Sequence, residues 1–259
     1  MAKASESAIS VGLIYVPVSL YKTTREIGIS FNQLCKDSKQ RVRYQKICPN
    51  CNKEVSSEDI VKGYEFEKGK YVTITDEELE KIKTRKDKTL HVEHFAKMSD
   101  IDSLYYERNY YVVPNIGAEK AFELLRQAMI SKKEVAIAKT VMGTKEELVV
   151  LYPTKDTIIA KMLYYQEEIQ DMPKSQAKVQ IEKSELEMAK TLISTMTKDF
   201  DITVYHDEYQ MRLREAIEKK IKGQEIINVD NNAPTNIIDI MEAMKKTVEM
   251  SQNGKIGTA

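Results

Sequence analysis

Residues 134–165 read EVAIAKTVMGTKEELVVLYPTKDTIIAKMLYY. Three runs within them, Glu134–Met142, Glu147–Tyr152 and Thr157–Tyr165, are short, rich in β-branched and aromatic residues, and separated by turn-forming or charged residues, so each predicts a β-strand. Upstream, Tyr105–Val113 and Thr89–Phe95 have the same character, and residues 64–74 (YEFEKGKYVTI) predict a hairpin turning at Gly69. Gln40–Ile47 alternates, with Arg41, Arg43 and Gln45 on one face and Val42, Tyr44 and Lys46 on the other, which predicts a further strand. Ile9–Tyr21 is apolar and β-branched, and Pro17 predicts that its strand ends or bulges there. Helices interrupt this series only at Asp76–Lys83, with Thr75 as N-cap, and at Ala118–Ser131, where Ala121, Phe122, Leu125, Ala128 and Met129 share a face. Many short strands with two inserted helices predict an α+β protein built on a mainly antiparallel barrel, not a doubly wound sheet.

The pattern changes near residue 170. Ser184 and Glu187 are spaced as a capping box, with Leu186, Ala189, Ile193 and Met196 forming a stripe behind them. A second helix starts near Asp207 and ends at Gly223, carrying Tyr209, Leu213, Ile217 and Ile221. The polar stretch NVDNNAPT (228–235) reads as a linker. Beyond it Ile237, Ile240, Met241, Met244 and Val248 mark one face of a short amphipathic helix, suited to docking in a partner's groove. The expected organisation is therefore 1–170 as barrel core, 171–227 as helical arm, and 228–259 as linker and terminal helix.

The charge is balanced, with 40 Lys and Arg against 40 Asp and Glu, but it is not evenly spread. Lys36, Lys39, Arg41, Arg43, Lys46 and Lys53 crowd one stretch, while acids gather at Asp76, Glu77, Glu78 and Glu80. Basic residues inside a channel and neutral or acidic ones outside would produce this distribution, and so would an ordinary solvated face. No apolar run reaches the length of a membrane span, and MAKASESAIS has no apolar signal core, so export is not expected.

Cys48-Pro-Asn-Cys51 is a knuckle sequence whose two thiolates are spaced to share a zinc ion, with Cys35 a third candidate ligand. No further Cys or His occurs before His91, so a half-site and an occupied site remain equal readings. His91 and His94, three apart on a strand, point to opposite faces. Asp199 and Asp201 suit caps between helices, and Glu146-Glu147 and Glu167-Glu168 diverge as sequence neighbours. The tyrosine pairs Tyr105-Tyr106 and Tyr110-Tyr111 suit sheet and interface packing better than base stacking. There is no glycine-rich phosphate loop, dinucleotide fingerprint or paired nucleophile and base, and no enzymatic activity is expected.

Taken together these stretches resemble one family. AISVGLIYVPVSLYKTT (8–24), DIVKGYEFEKGKYVTIT (59–75), DEELEKI (76–82), DIDSLYYERNYYVVP (100–114), KAFELLRQAM (120–129), VAIAKTVM (135–142) and MTKDFDITVYHDEY (196–209) are similar to bacterial-type Ku, in family order, over about residues 8–226. The resemblance implies a seven-stranded barrel, a strand excursion forming a bridge, and a helical C-terminal arm that swaps across a homodimer. Each chain would supply half of a ring around duplex DNA. It further implies binding to double-stranded DNA ends without sequence preference, recruitment of an ATP-dependent DNA ligase of the ligase D type, and work in non-homologous end joining in the cytoplasm at the nucleoid. No cofactor is required, and a structural zinc at Cys35, Cys48 and Cys51 stays open. The family often has His near Cys35 and sometimes Cys near Ser38, and this chain lacks the long Lys-rich tail of many relatives. Arg41, Arg43, Lys62, Lys68, Lys70, Arg126 and Lys139 are the expected channel cations, reading phosphates and not bases.

Two other readings remain. A zinc-knuckle adaptor without ring topology would prefer single strands, and a nuclease built on the carboxylates and histidines would cleave DNA with a divalent metal.

Overall fold

Gly12, at φ 57°, reverses the chain between β1 (Lys3–Val11) and β2 (Ile14–Lys22), and the sheet grows from this hairpin until it closes. The computed structural model describes residues 3–82, 88–142, 145–173, 180–225, 244 and 247–249. Beside β5 (Leu90–Lys97), the barrel takes β6 (Tyr106–Pro114), β7 (Glu134–Met142), β8 (Lys145–Pro153) and β9 (Ile158–Leu163), in the order β1-β2-β6-β9-β8-β7-β5. All neighbours run antiparallel except β1 and β5, whose parallel pairing of Ile9 with Leu90 and Ser10 with His91 closes the seven-stranded ring of strands.

Small and large side chains alternate across the strands of the interior. Ala136, Leu151, Ala160 and Tyr110 lie opposite one another on β7, β8, β9 and β6, as do Ala138, Val149 and Met162 in the next row. Leu151, Tyr110 and Val149 thus each face an alanine, which helps a narrow barrel fill without a void. Helix α2 (Glu119–Lys132) adds Phe122 and Met129 to the same core. On the outer face Val135, Val150 and Leu163 are covered by Met98, Ile101, Tyr105 and Tyr106.

The excursion between β2 and β5 contains β3 (Lys62–Glu67), β4 (Lys70–Ile74) and α1 (Asp76–Ile82). Gly69, φ 79°, makes the turn, and Thr75 and Glu78 exchange the reciprocal bonds of a capping box. Tyr64 and Phe66 on β3, and Tyr71 and Val72 on β4, are all exposed.

Residues 1–27 with 31–171 form one unit, and residues 28–30 with 172–259 a second. The Ile29 N–H donates to Gln210 Oε1 at 3.2 Å, which ties the short segment to the second unit. That unit holds α3 (Lys183–Met196) and α4 (Glu208–Ile221), neither with a buried residue.

Three local expectations are corrected. Ile9–Tyr21 is two strands, and Pro17 lies within β2; the β2–β6 pairing begins only at Val18, so the missing N–H costs that ladder nothing. Gln40–Ile47 is not a strand, because its two ends are drawn into separate turns, with Leu34 bridging Arg41 and Ile47 bridging Glu54. The box that starts α3 is Glu182 with Glu185, not Ser184 with Glu187: Glu185 accepts the Glu182 N–H at 2.9 Å.

Candidate nucleic-acid interface

The basic stretch and the cysteines belong to one small structure, two copies of the same turn thirteen positions apart (35 to 48). In the first, Cys35 N–H donates to Gln40 O (2.8 Å), Lys39 N–H to Cys35 O (2.9 Å) and Val42 N–H to Gln33 O (3.1 Å). In the second, Cys48 N–H donates to Lys53 O (3.0 Å), Asn52 N–H to Cys48 O (2.8 Å) and Val55 N–H to Lys46 O (2.8 Å). The left-handed residues correspond as well, Lys39 at φ 57° and Asn52 at φ 50°.

Both leading sulfurs are stabilised as thiolates by their own turn. The Ser38 hydroxyl, then the N–H groups of Ser38 and Asp37, hold the Cys35 thiol down to about 7. Cys48 is lowered by the Cys51 N–H, then its thiol, then the Asn50 N–H. Ser38 therefore occupies in the first turn the place that Cys51 occupies in the second, and the pair carries three thiols and one hydroxyl where a structural zinc takes four strong ligands. The three thiols expected to share a metal are not gathered. Among the described residues no three His, Cys, Asp or Glu side chains stand close enough to hold a metal ion, so the residues present do not fit that site.

Each turn keeps its form through hydrogen bonds, which yields two expectations. Protein purified without chelator should carry less than about a tenth of a zinc per chain by elemental analysis; stoichiometric zinc would contradict the fit test. Cys35, roughly half thiolate at pH 7, should be alkylated several-fold faster than in the Ser38→Ala variant at that pH, with the difference gone near pH 10. Equal rates at pH 7 would remove the hydroxyl as the cause.

The seven expected channel cations separate by environment. Arg41 and Arg43 stand exposed on the connector between the turns, with Lys36, Lys46 and Lys53 nearby in the chain, and Lys68 is exposed at the β3–β4 turn. Neither Arg41, Arg43 nor Lys68 has a carboxylate partner among the described residues. Lys62 pairs with Asp76 at 2.5 Å and Lys70 with Glu67 at 2.6 Å, both at the surface. Lys139 lies 3.7 Å from Glu146. Arg126 is built into the fold: it binds Glu123 and donates to the carbonyls of Thr154 (2.5 Å) and Lys155 (2.7 Å). Its guanidinium, with help from Gln127, lowers the Glu123 carboxyl to about 2. Four other lysines, Lys97, Lys132, Lys133 and Lys155, were not legible as a group, because only the tertiary fold brings the end of β5, the end of α2 and the turn after β8 together at one end of the barrel.

The tyrosines pack. Tyr110 is in the core, and Tyr106 on β6 and Tyr152 on β8 flank the Lys161 ammonium at 4.5 and 4.4 Å. Three of the candidate carboxylates are committed: Glu147 is buried against Arg108 at 2.7 Å, Glu168 binds Lys145, and Asp201 caps the turn at Thr203.

A closed seven-stranded barrel with an exposed bridging hairpin and a helical second unit defines a Ku-type architecture, and the Ku70/Ku80 beta-barrel domain family matches residues 10–188. The chain belongs to the Ku family. Among its relatives are proteins named Non-homologous end joining protein Ku. The one from Lachnoclostridium phytofermentans is 46% identical over 250 residues, covering 96% of this chain and 97% of the relative. That of Archaeoglobus fulgidus is 37% identical over 247 residues (94% and 97%), and that of Bacillus subtilis 31% over 253 (95% and 81%). Among the described residues no helix is long and apolar enough to cross a membrane.

Proposed function

We propose that this chain is a non-enzymatic binder of double-stranded DNA ends that acts in non-homologous end joining. Two copies would form a ring around the duplex and recruit an ATP-dependent DNA ligase of the ligase D type. The observation that carries the reading is membership of the Ku family across almost the whole chain, alongside relatives named for that repair process. Exposed cations without carboxylate partners among the described residues, Arg41, Arg43 and Lys68, would supply sequence-independent attraction to phosphates. No cofactor enters this reading.

Support for the homodimer comes from apolar groups that this chain leaves uncovered. Tyr64, Phe66 and Tyr71 on the hairpin, and Ile193, Phe200 and Ile221 in the second unit, are each more than half exposed. Exposed apolar side chains on this hairpin, and in a unit whose helices α3 and α4 have no buried residue, suit an association face. Light scattering across a dilution series should report twice the monomer mass of 29.8 kDa. A monomer at micromolar concentration that still bound DNA ends would refute the ring.

Ligase recruitment is assigned to the C-terminal segment. Of its expected stripe, Met244 and Val248 are helical and half-buried, whereas Ile237, Ile240 and Met241 lie outside the described residues. Deleting residues 230–259 is expected to preserve dimerisation and end binding and to abolish stimulation of the cognate ligase. Unchanged ligation would exclude the segment as the recruiting element, and loss of folding would show that its stripe packs on the chain itself. The adaptor reading is favoured by one observation, the paired turns with their basic residues, and tighter binding of single-stranded than duplex DNA would select it.

A further inference from the structure

At one end of the barrel, the C-terminal turn of α2 and the adjoining ends of β5, β7 and β8 surround a cavity of about 960 Å³. Its size is that of pockets that bury a ligand or several side chains. Met98, Ile130 and Pro153 give it apolar walls. Lys97, Lys132, Lys133 and Lys155 line it too, all exposed, and none has a carboxylate partner among the described residues. Glu134 is the one acid in the lining.

The wall is fixed by the fold. Arg126 clamps the turn after β8 to α2 through the carbonyls of Thr154 and Lys155, and Glu123 already neutralises its charge. Lys133, at φ 58°, turns the chain from the helix directly into β7. The four lysines therefore stand as a local excess of positive charge in a chain whose net charge is zero.

An apolar floor ringed by ammonium groups is complementary to apolar side chains flanked by carboxylates. A duplex backbone offers phosphates but nothing to fill an apolar cavity, and would leave Ile130 and Met98 in water. Lysine stems also extend apolar surface toward the rim while their charges stay solvated. We propose that this cavity docks an acidic segment of a partner protein, anchored by aliphatic or aromatic side chains. The proposal rests on residues of the first unit alone and is independent of the ring.

The test uses the full chain and a short fluorescein-labelled peptide with Ile-Leu-Phe between two runs of aspartate, followed by fluorescence anisotropy. Saturable binding is expected, weakened at least about tenfold by Lys132→Glu with Lys155→Glu. Peptides with Ser for the apolar trio, or Asn for the aspartates, should lose comparable affinity. Linear duplex should not displace the peptide, and the double variant should bind DNA ends within about twofold of the parent, which also shows that it folds. Three results would overturn the proposal: no saturable binding up to about 1 mM, equal binding of the Ser peptide, or displacement by duplex with parallel loss of end binding in the variant. The last would make the cavity a nucleic-acid surface.

Discussion

Protein in which Arg41, Arg43 and Lys46 are all replaced by Glu is expected to bind linear duplex at least about 100-fold more weakly than the parent near physiological salt. The three side chains are exposed on the connector between the paired turns, and none contributes an ion pair to the fold among the described residues. Reversing them inverts the charge of this proposed phosphate-binding stretch without disturbing a packed element. Each lost phosphate contact also removes about 0.9 from the slope of log affinity against log salt, so the variant should be less salt-sensitive as well as weaker. Lys62→Glu or Lys70→Glu alone should have smaller effects, since surface carboxylates already share those charges. An unchanged salt slope in the triple variant would move the phosphate contacts elsewhere on the molecule.

Arg108→Leu is expected to destabilise the protein by about 3 kcal/mol, the lower end of the range for stripping a buried ion of its partner, because Arg108 itself is partly solvated. Glu147 sits on β8 with its side chain 4% exposed, across β9 from Arg108 on β6. At 2.7 Å the guanidinium is the counter-ion that makes burial of this carboxylate tolerable. The double variant Arg108→Leu with Glu147→Leu should recover part of the loss, since no orphaned charge remains. Denaturant unfolding of the parent, both singles and the double variant measures this directly. A single variant as stable as the parent would mean that Glu147 is satisfied without Arg108.

The sequence made the barrel legible because its strands are half-buried in a simple way. Glu134–Met142 is delimited correctly by β-branching and alternation, Gly69 announces its turn by residue type, and the second helix of the arm starts where expected, next to Asp207. The misreadings share a cause. At Gln40–Ile47 the alternation of basic and apolar residues mimics a strand, but the hydrogen bonds run within two turns, and of the two left-handed residues only Asn52 is of a type that favours that conformation, whereas Lys39 carries no such signal. At Pro17 the register of the neighbouring strand decides whether a missing N–H matters, and register is a tertiary property.

The candidate site was less legible than the fold. The clustering of charge at 36–53 located the exposed basic stretch, yet nothing in the sequence distinguished exposed Arg43 from Arg126, which is locked against two carbonyls and a carboxylate. The spacing of Cys48 and Cys51 announced a knuckle. The occasional Cys near Ser38 in the family pointed to that position, and the matching backbone bonds are what make Ser38 the equivalent of Cys51.

The central claim is that the chain encloses duplex DNA by threading over an end. The direct measurement compares binding to a linear duplex and to a covalently closed circle of the same sequence, at physiological salt and equal base-pair concentration. The account predicts firm binding to the linear form, little binding to the circle, and recovery of binding once the circle is cut at a single site. Equal affinity for the circle and the linear duplex would contradict it.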